Sequence, residues 1–156
     1  MNILKKLFYV GLVLLLIAGP TLLMFPAKAL AYSPWDTSYT YDELMLLARL
    51  VYAEAAGEPY VGKVAVAAVV LNRVKSPLFP DTIYDVIYEP WQFSSVGNWM
   101  FNSYPPEECI QAALDALAGW DPTGGALYYF NYHTVWNEWL WSKPAMGAIG
   151  NHWFAY

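Results

Sequence analysis

Two glutamates frame a helix end in the run Ala53-Glu54-Ala55-Ala56-Gly57-Glu58-Pro59. Glu54 falls in the last turn of a predicted helix, where the negative end of the helix dipole disfavours a carboxylate. Its neighbours Val51, Tyr52, Ala53 and Ala55 are apolar and limit hydration wherever the side chain is shielded. Both effects favour the protonated acid, and a glutamate held protonated near neutral pH is what a general acid at a glycosidic oxygen requires. The bland alternative is a solvated helix-end acid. Glu58 reads equally well as a loop acid placed by Gly57 and Pro59. Gly57 is expected to break the helix between the two, so spacing does not put both carboxylates on one face.

Other polar side chains sit in apolar surroundings. Asn72 and Arg73 end a second predicted helix, Gln92 and Ser94 lie in an aromatic loop, Asn131 follows a predicted strand and His152 opens another. Each is a candidate to bond a sugar hydroxyl or acetamido group, and each serves equally well as part of the fold. Phe93, Tyr128, Phe130 and Trp141 are the aromatic candidates, because a pyranose face is apolar while its edge is polar. Missing patterns exclude other chemistries. There is no HExxH and no paired CxxC, and two histidines with one cysteine make a poor zinc inventory. No glycine-rich phosphate loop follows a strand, and no GxSxG elbow is present. No cofactor and no metal are therefore expected.

The elements that must position these residues can be read from caps and periodicity. Thr40-Tyr41-Asp42-Glu43 is a capping-box pattern that opens a helix over about Tyr41 to Ala55, with Leu44, Leu47, Ala48, Val51 and Tyr52 on one stripe. A second helix, rich in Ala and Val, is predicted from about Tyr60 to Val74 and reads as the central buried one. Asp81 to Ile87 suggests a short third. Glu89 to Tyr104 has no clean period and reads as a long structured loop. Pro105-Pro106-Glu107-Glu108 starts a helix that ends at Gly119. After the turn cluster Asp121-Pro122-Thr123-Gly124-Gly125, three aromatic runs read as strands: Ala126 to Phe130, Glu138 to Trp141, and His152 to Ala155. Helices first and a small antiparallel sheet last give an α+β order.

Composition sets the compartment. Lys5 and Lys6 precede an apolar run, Leu7 to Ile17, followed by Ala27-Lys28-Ala29 or Ala29-Leu30-Ala31 as cleavage options. Residues 1–31 thus read as a signal peptide or an uncleaved N-terminal anchor, 32–40 as a linker and 41–156 as the working domain. Either way the domain is expected outside the cytoplasmic membrane, touching it only through an uncleaved leader. Without Lys5, Lys6 and Lys28, five basic residues face 13 acidic ones, a net charge of −8 that argues against nucleic acid as a partner. The single cysteine, Cys109, permits no internal disulfide and is expected to be a packed thiol. Aromatic residues make up 18 % of the chain, with eight Trp and thirteen Tyr. So small a domain cannot bury them all, and some should face a ligand or partner.

Several motifs, in order, carry a resemblance. Leu47-Ala48-Arg49-Leu50-Val51-Tyr52-Ala53-Glu54-Ala55-Ala56-Gly57-Glu58-Pro59-Tyr60 continues through Gly62 to Val74. The pattern returns in Phe79 to Ile83, Pro90-Trp91-Gln92-Phe93-Ser94, Gly119 to Asn131, Trp141-Ser142-Lys143-Pro144 and Ile149-Gly150-Asn151-His152. Together these resemble the spore cortex-lytic, SleB-like cell-wall hydrolase family over nearly all of Asp42 to Tyr156. The resemblance implies a small lysozyme-like α+β domain, mostly helical with a short antiparallel sheet near the C-terminus. It implies cleavage of the β-1,4 bond between N-acetylmuramic acid and N-acetylglucosamine in peptidoglycan, often in the muramic-δ-lactam cortex of spores. The family's catalytic glutamate falls on Glu54. Position 56 is Ala where relatives often carry a basic residue, which bears on groove charge and substrate preference. The upstream peptidoglycan-binding module of many relatives is not found, so localisation is expected to come from the groove, an anchor or a partner protein.

Three readings remain open at this level, two of them reactions. A lytic transglycosylase would use Glu54 alone, because the attacking muramic 6-hydroxyl belongs to the substrate. A hydrolytic muramidase or glucosaminidase would normally need a second carboxylate, for which Glu58 is nearest in sequence. A non-catalytic wall-binding spore protein would keep the fold and the aromatic surplus. An amidase or peptidase acting on stem peptides has no metal or nucleophile pattern to support it.

Overall fold

The computed structural model describes residues 39–156. The leader expected over 1–31 and most of the linker expected over 32–40 lie outside the described residues. Helix α1 spans Tyr41–Ala55 and starts as its sequence dictates. The Glu43 amide donates to Thr40 Oγ1 at 3.2 Å, while the Thr40 amide donates to Glu43 Oε2 at 2.8 Å. Its buried face is Met45, Leu47, Ala48, Leu50, Val51 and Ala55, with Leu44 and Tyr52 only partly covered. Helix α2, Tyr60–Lys75, is buried continuously from Gly62 to Leu71, so it is the central helix that its small side chains predicted. Alanine and valine let α1 and the later helix α4, Glu107–Leu117, approach it closely. Cys109 is buried in α4 and free, and burial pushes its thiol pKa up.

Helix α3 is short, Ile83–Tyr88, and is capped by the Thr82 hydroxyl. The loop that follows has no regular elements, as expected, yet its turns are pinned by side chains. Asn98 Oδ1 accepts from the Phe101 amide at 2.8 Å, and Ser103 Oγ donates to the Trp99 carbonyl at 2.6 Å. Phe93 and Phe101 enter the helical core from this loop.

Strands β1 (Tyr128–Asn131), β2 (Ala145–Ile149) and β3 (His152–Ala155) form an antiparallel sheet in the order β1-β3-β2. Tyr129 stands opposite Phe154, and Asn131 opposite His152. Two sequence expectations fail here. Glu138–Trp141 is a one-turn helix, α5, and not a strand: Asn137 Oδ1 accepts from the Leu140 amide at 3.1 Å and caps it. The aromatic residues there favoured a strand reading by propensity, and the cap overrides it. Strand β2 was not expected, because Ala145-Met146-Gly147-Ala148-Ile149 is poor in strand formers; pairing with β3 holds it, with a register irregularity between Ala145 and Gly147. The overall result is still the mostly helical α+β order with a late sheet.

A small second core of Ala65, Val69, Ala126 and Phe154 glues the sheet to α2. Tyr129 packs against both this cluster and the main helical one.

Candidate active site

Glu54 lies half-buried in the last turn of α1, on the wall of a cleft of about 320 Å3. Tyr129, carried by β1, donates its phenolic hydrogen to Glu54 Oε2 at 3.2 Å, joining residues 75 positions apart. Burial, and then the charge of Glu54, push the Tyr129 pKa well above its ordinary value, so the phenol stays a hydrogen-bond donor. Its ring is fixed by His152 at 5.1 Å and Phe154 at 5.8 Å between centroids.

The cleft brings together most of the residues singled out from sequence. Glu54, Arg73, Gln92 and Phe93 line it, with Ser94, Phe130, Asn131 and His152. Arg73 is 5 % exposed. Its Nε donates to the Leu127 carbonyl at 2.8 Å and its Nη1 to Gln92 Oε1 at 3.2 Å. The guanidinium sits between the Phe79 and Phe93 rings, 4.9 and 5.1 Å from their centroids. Burial lowers its pKa, with Glu89 and Glu54 among the charges that oppose the shift, and guanidinium remains the charged form. His152 is buried, its Nδ1 has no partner, and burial lowers its pKa against the pull of Glu58 and Glu54. The cleft therefore offers one carboxylate, one phenolic donor, one fixed cation and one neutral imidazole.

Three expected binding residues are held elsewhere. Glu58 lines neither the cleft nor its neighbouring chamber. Its carboxylate accepts from the Asn151 amide at 2.8 Å and from Asn151 Nδ2 at 3.0 Å, tying the α1–α2 turn to the β2–β3 turn. Gly150, at φ +60°, lies so close that a Cβ there would collide with the Glu58 carboxylate and Pro59. Asn72 is spent on the turn before β1, donating to Asp121 Oδ2 at 3.0 Å and the Ala126 carbonyl at 3.2 Å. Trp141 packs against Phe130 and Trp153 and does not line the cleft. Tyr128 lines the adjoining chamber.

Sequence reasoning missed Tyr129, whose strand phase could not be told from period-two alternation. It also missed Val135 and Leu140 in the cleft, and Glu89 in the adjoining chamber. Among the described residues, no three His, Cys, Asp or Glu side chains group so as to hold a metal ion.

The family described as Cell Wall Hydrolase matches residues 57–155. The chain belongs to that family. Glu54 stands three residues before the matched range. The spore cortex-lytic enzyme of Bacillus cereus is 49 % identical over 116 residues, covering 74 % of this chain and 45 % of that protein. The spore cortex-lytic enzyme of Halalkalibacterium halodurans is 51 % identical, covering 74 % and 35 % respectively. The chain thus spans less than half the length of these curated relatives. Among solved structures, the catalytic domain of Bacillus cereus SleB superposes with a TM-score of 0.72 at 48 % identity, covering 76 % of this chain and 92 % of that one. The catalytic domain of the germination-specific lytic transglycosylase SleB from Bacillus anthracis gives the same TM-score at 47 % identity, covering 76 % and 98 %. The fold of this member of the family is therefore that of the SleB catalytic domains.

Proposed function

We propose that this domain cleaves the glycan strands of peptidoglycan at the β-1,4 bond between N-acetylmuramic acid and N-acetylglucosamine, as a lytic transglycosylase acting on spore cortex. The observation that carries the reading is Glu54: it is the carboxylate that lines the cleft, and a partly buried phenol donates to it. The relatives named as spore cortex-lytic enzymes support the substrate, and the lytic transglycosylase SleB supports the reaction. Export by the leader over residues 1–31, and a regulatory or anchoring partner, belong to the same proposal.

In this mechanism, protonated Glu54 donates to the glycosidic oxygen as the bond to the muramic anomeric carbon breaks. The glutamate so formed is stabilised by the Tyr129 hydroxyl and the Arg73 charge. It then takes the proton of the muramic C6 hydroxyl, whose oxygen bonds to the anomeric carbon and closes a 1,6-anhydro ring. No water is consumed, and Glu54 ends protonated. Hydrolysis, the second reading, normally calls on a second carboxylate to activate or replace water. Glu58 is a poor one, because Asn151 occupies both of its oxygens.

Residues 32–156 are to be incubated with purified spore cortex peptidoglycan, wild type beside Glu54→Gln, and the muropeptides read by mass spectrometry. Anhydro-muramic ends that vanish in Glu54→Gln are expected. Reducing ends without anhydro products would replace transglycosylation by hydrolysis. Intact glycan with the folded wild type, on cortex and on vegetative wall, would leave the non-catalytic wall-binding reading.

A further inference from the structure

Beyond the Arg73–Gln92 wall of the cleft lies a second chamber, of about 450 Å3. Four independent features converge on it. Glu89, which ends α3, lines the chamber, and its Oε2 is buried with no hydrogen-bond partner. Native structures leave few buried acceptors unmet, and a carboxylate oxygen is among the costliest to leave so. Trp91, two residues on, is the one non-glycine of the described residues with positive φ, at 71°, and it is 100 % exposed at the rim. Left-handed backbone disfavours a bulky residue, and full exposure disfavours indole. The fold tolerates both at one position. Trp139, which also lines the chamber, is 56 % exposed and sets its ring edge-on to Tyr128 at 5.3 Å. Lys143 Nζ lies 4.2 Å from the centroids of both rings and fixes them.

An apolar platform beside a carboxylate acceptor suits one amino-sugar ring, which has an apolar face and carries hydroxyl and acetamido N–H donors on its edge. We infer that this chamber is a sugar-binding subsite continuous with the Glu54 cleft, in which the Glu89 carboxylate accepts from a ring hydroxyl or acetamido N–H and Trp91 covers the apolar face. The inference rests on the glycan-cleavage reading. It gives Glu89 a binding role, because Glu89 lines the second chamber and not the cleft that holds Glu54.

The test is steady-state cleavage of purified, stem-free glycan strands by residues 32–156, with kcat and KM measured separately. Glu89→Gln and Trp91→Ala are each expected to raise KM about tenfold, the worth of one hydrogen bond to a charged group or one stacked ring, with kcat held within about threefold. Trp91→Phe, which keeps a smaller ring, should raise KM less than Trp91→Ala. The Trp91 side chain is wholly exposed, so its removal leaves the core untouched and the test stands even if Glu89→Gln melts. Unchanged KM in both variants, beside an active wild type and a dead Glu54→Gln, removes the subsite and leaves the cleavage reading intact. A fall in kcat at constant KM in Glu89→Gln makes Glu89 a reacting group and overturns its binding role. Strands left uncut by the wild type overturn the cleavage reading and the subsite with it.

Discussion

At the scale of single residues, the candidate acid was legible and its setting was not. A carboxylate in an apolar last turn drew notice to Glu54, but a solvated helix-end acid fitted the same residues, and it was the family resemblance that singled it out. Its donor could not be picked out, because Tyr129 lies 75 positions away and adjacent tyrosines differ only by strand phase. Tyr129→Phe keeps the ring among His152, Phe93 and Phe154 and deletes only the hydroxyl. A hydrogen bond to a charged group is worth about 1.5–3 kcal/mol, so the variant should lose roughly tenfold or more in kcat. Its melting temperature should barely move, which separates support of Glu54 from support of the fold. His152 makes a second prediction. Burial lowers its pKa below the ordinary 6.5. The neutral form is the one the fold holds, so its contribution to stability is complete above about pH 6.5 and declines as pH falls through the folded-state pKa. Melting scans from pH 7.5 to 5 should show this decline, and His152→Phe should flatten it.

At the scale of elements, caps and helical periodicity carried nearly everything up to α4, because helical signals are local. The short elements after Asp121 depend on contacts that sequence spacing does not display. Helix α5 is set by a single asparagine cap, and β2 by its partner strand. The turn that launches β1 is governed by one carboxylate. Asp121 Oδ1 accepts from the Thr123 amide at 2.8 Å and its hydroxyl at 2.6 Å, and Oδ2 from the Gly125 amide at 2.8 Å and Asn72 at 3.0 Å. Burial works against this charge, but the hydrogen bonds outweigh it and hold the carboxyl below the usual 3.8. The stabilisation is therefore present above about pH 4 and lost as pH falls through the lowered pKa. Asp121→Asn should cost about 1–3 kcal/mol at pH 7, since its amide cannot accept from all four donors. Urea unfolding at pH 7 and pH 3 checks it: the gap between wild type and variant should narrow in acid.

At the scale of the whole molecule, the α+β order was visible from where helical periodicity gives way to aromatic runs. How the two layers support each other was not. The sheet touches the helices through a cluster far smaller than the helical core, with Phe154 at its centre, wholly buried on Ala65, Val69 and Ala126. Phe154 also stands opposite Tyr129 in the β1–β3 register. Tyr129 in turn packs on both cores and holds Glu54, so the same few side chains join the layers and build the cleft. Such sharing predicts that helices and sheet unfold as one unit, since neither can leave without exposing Tyr129. Phe154→Ala should cost about 3–5 kcal/mol, because the sheet cannot collapse into the space. That corresponds to a fall in melting midpoint of roughly 10 °C or more for a domain of this size. Far-ultraviolet circular dichroism reports the helices, and tryptophan fluorescence also reports Trp139, Trp141 and Trp153 around the sheet. The two curves should coincide in wild type and stay coincident in Phe154→Ala, as two-state unfolding requires. If fluorescence instead melts first in the variant, the helical layer stands alone and the cleft can be lost without unfolding the domain.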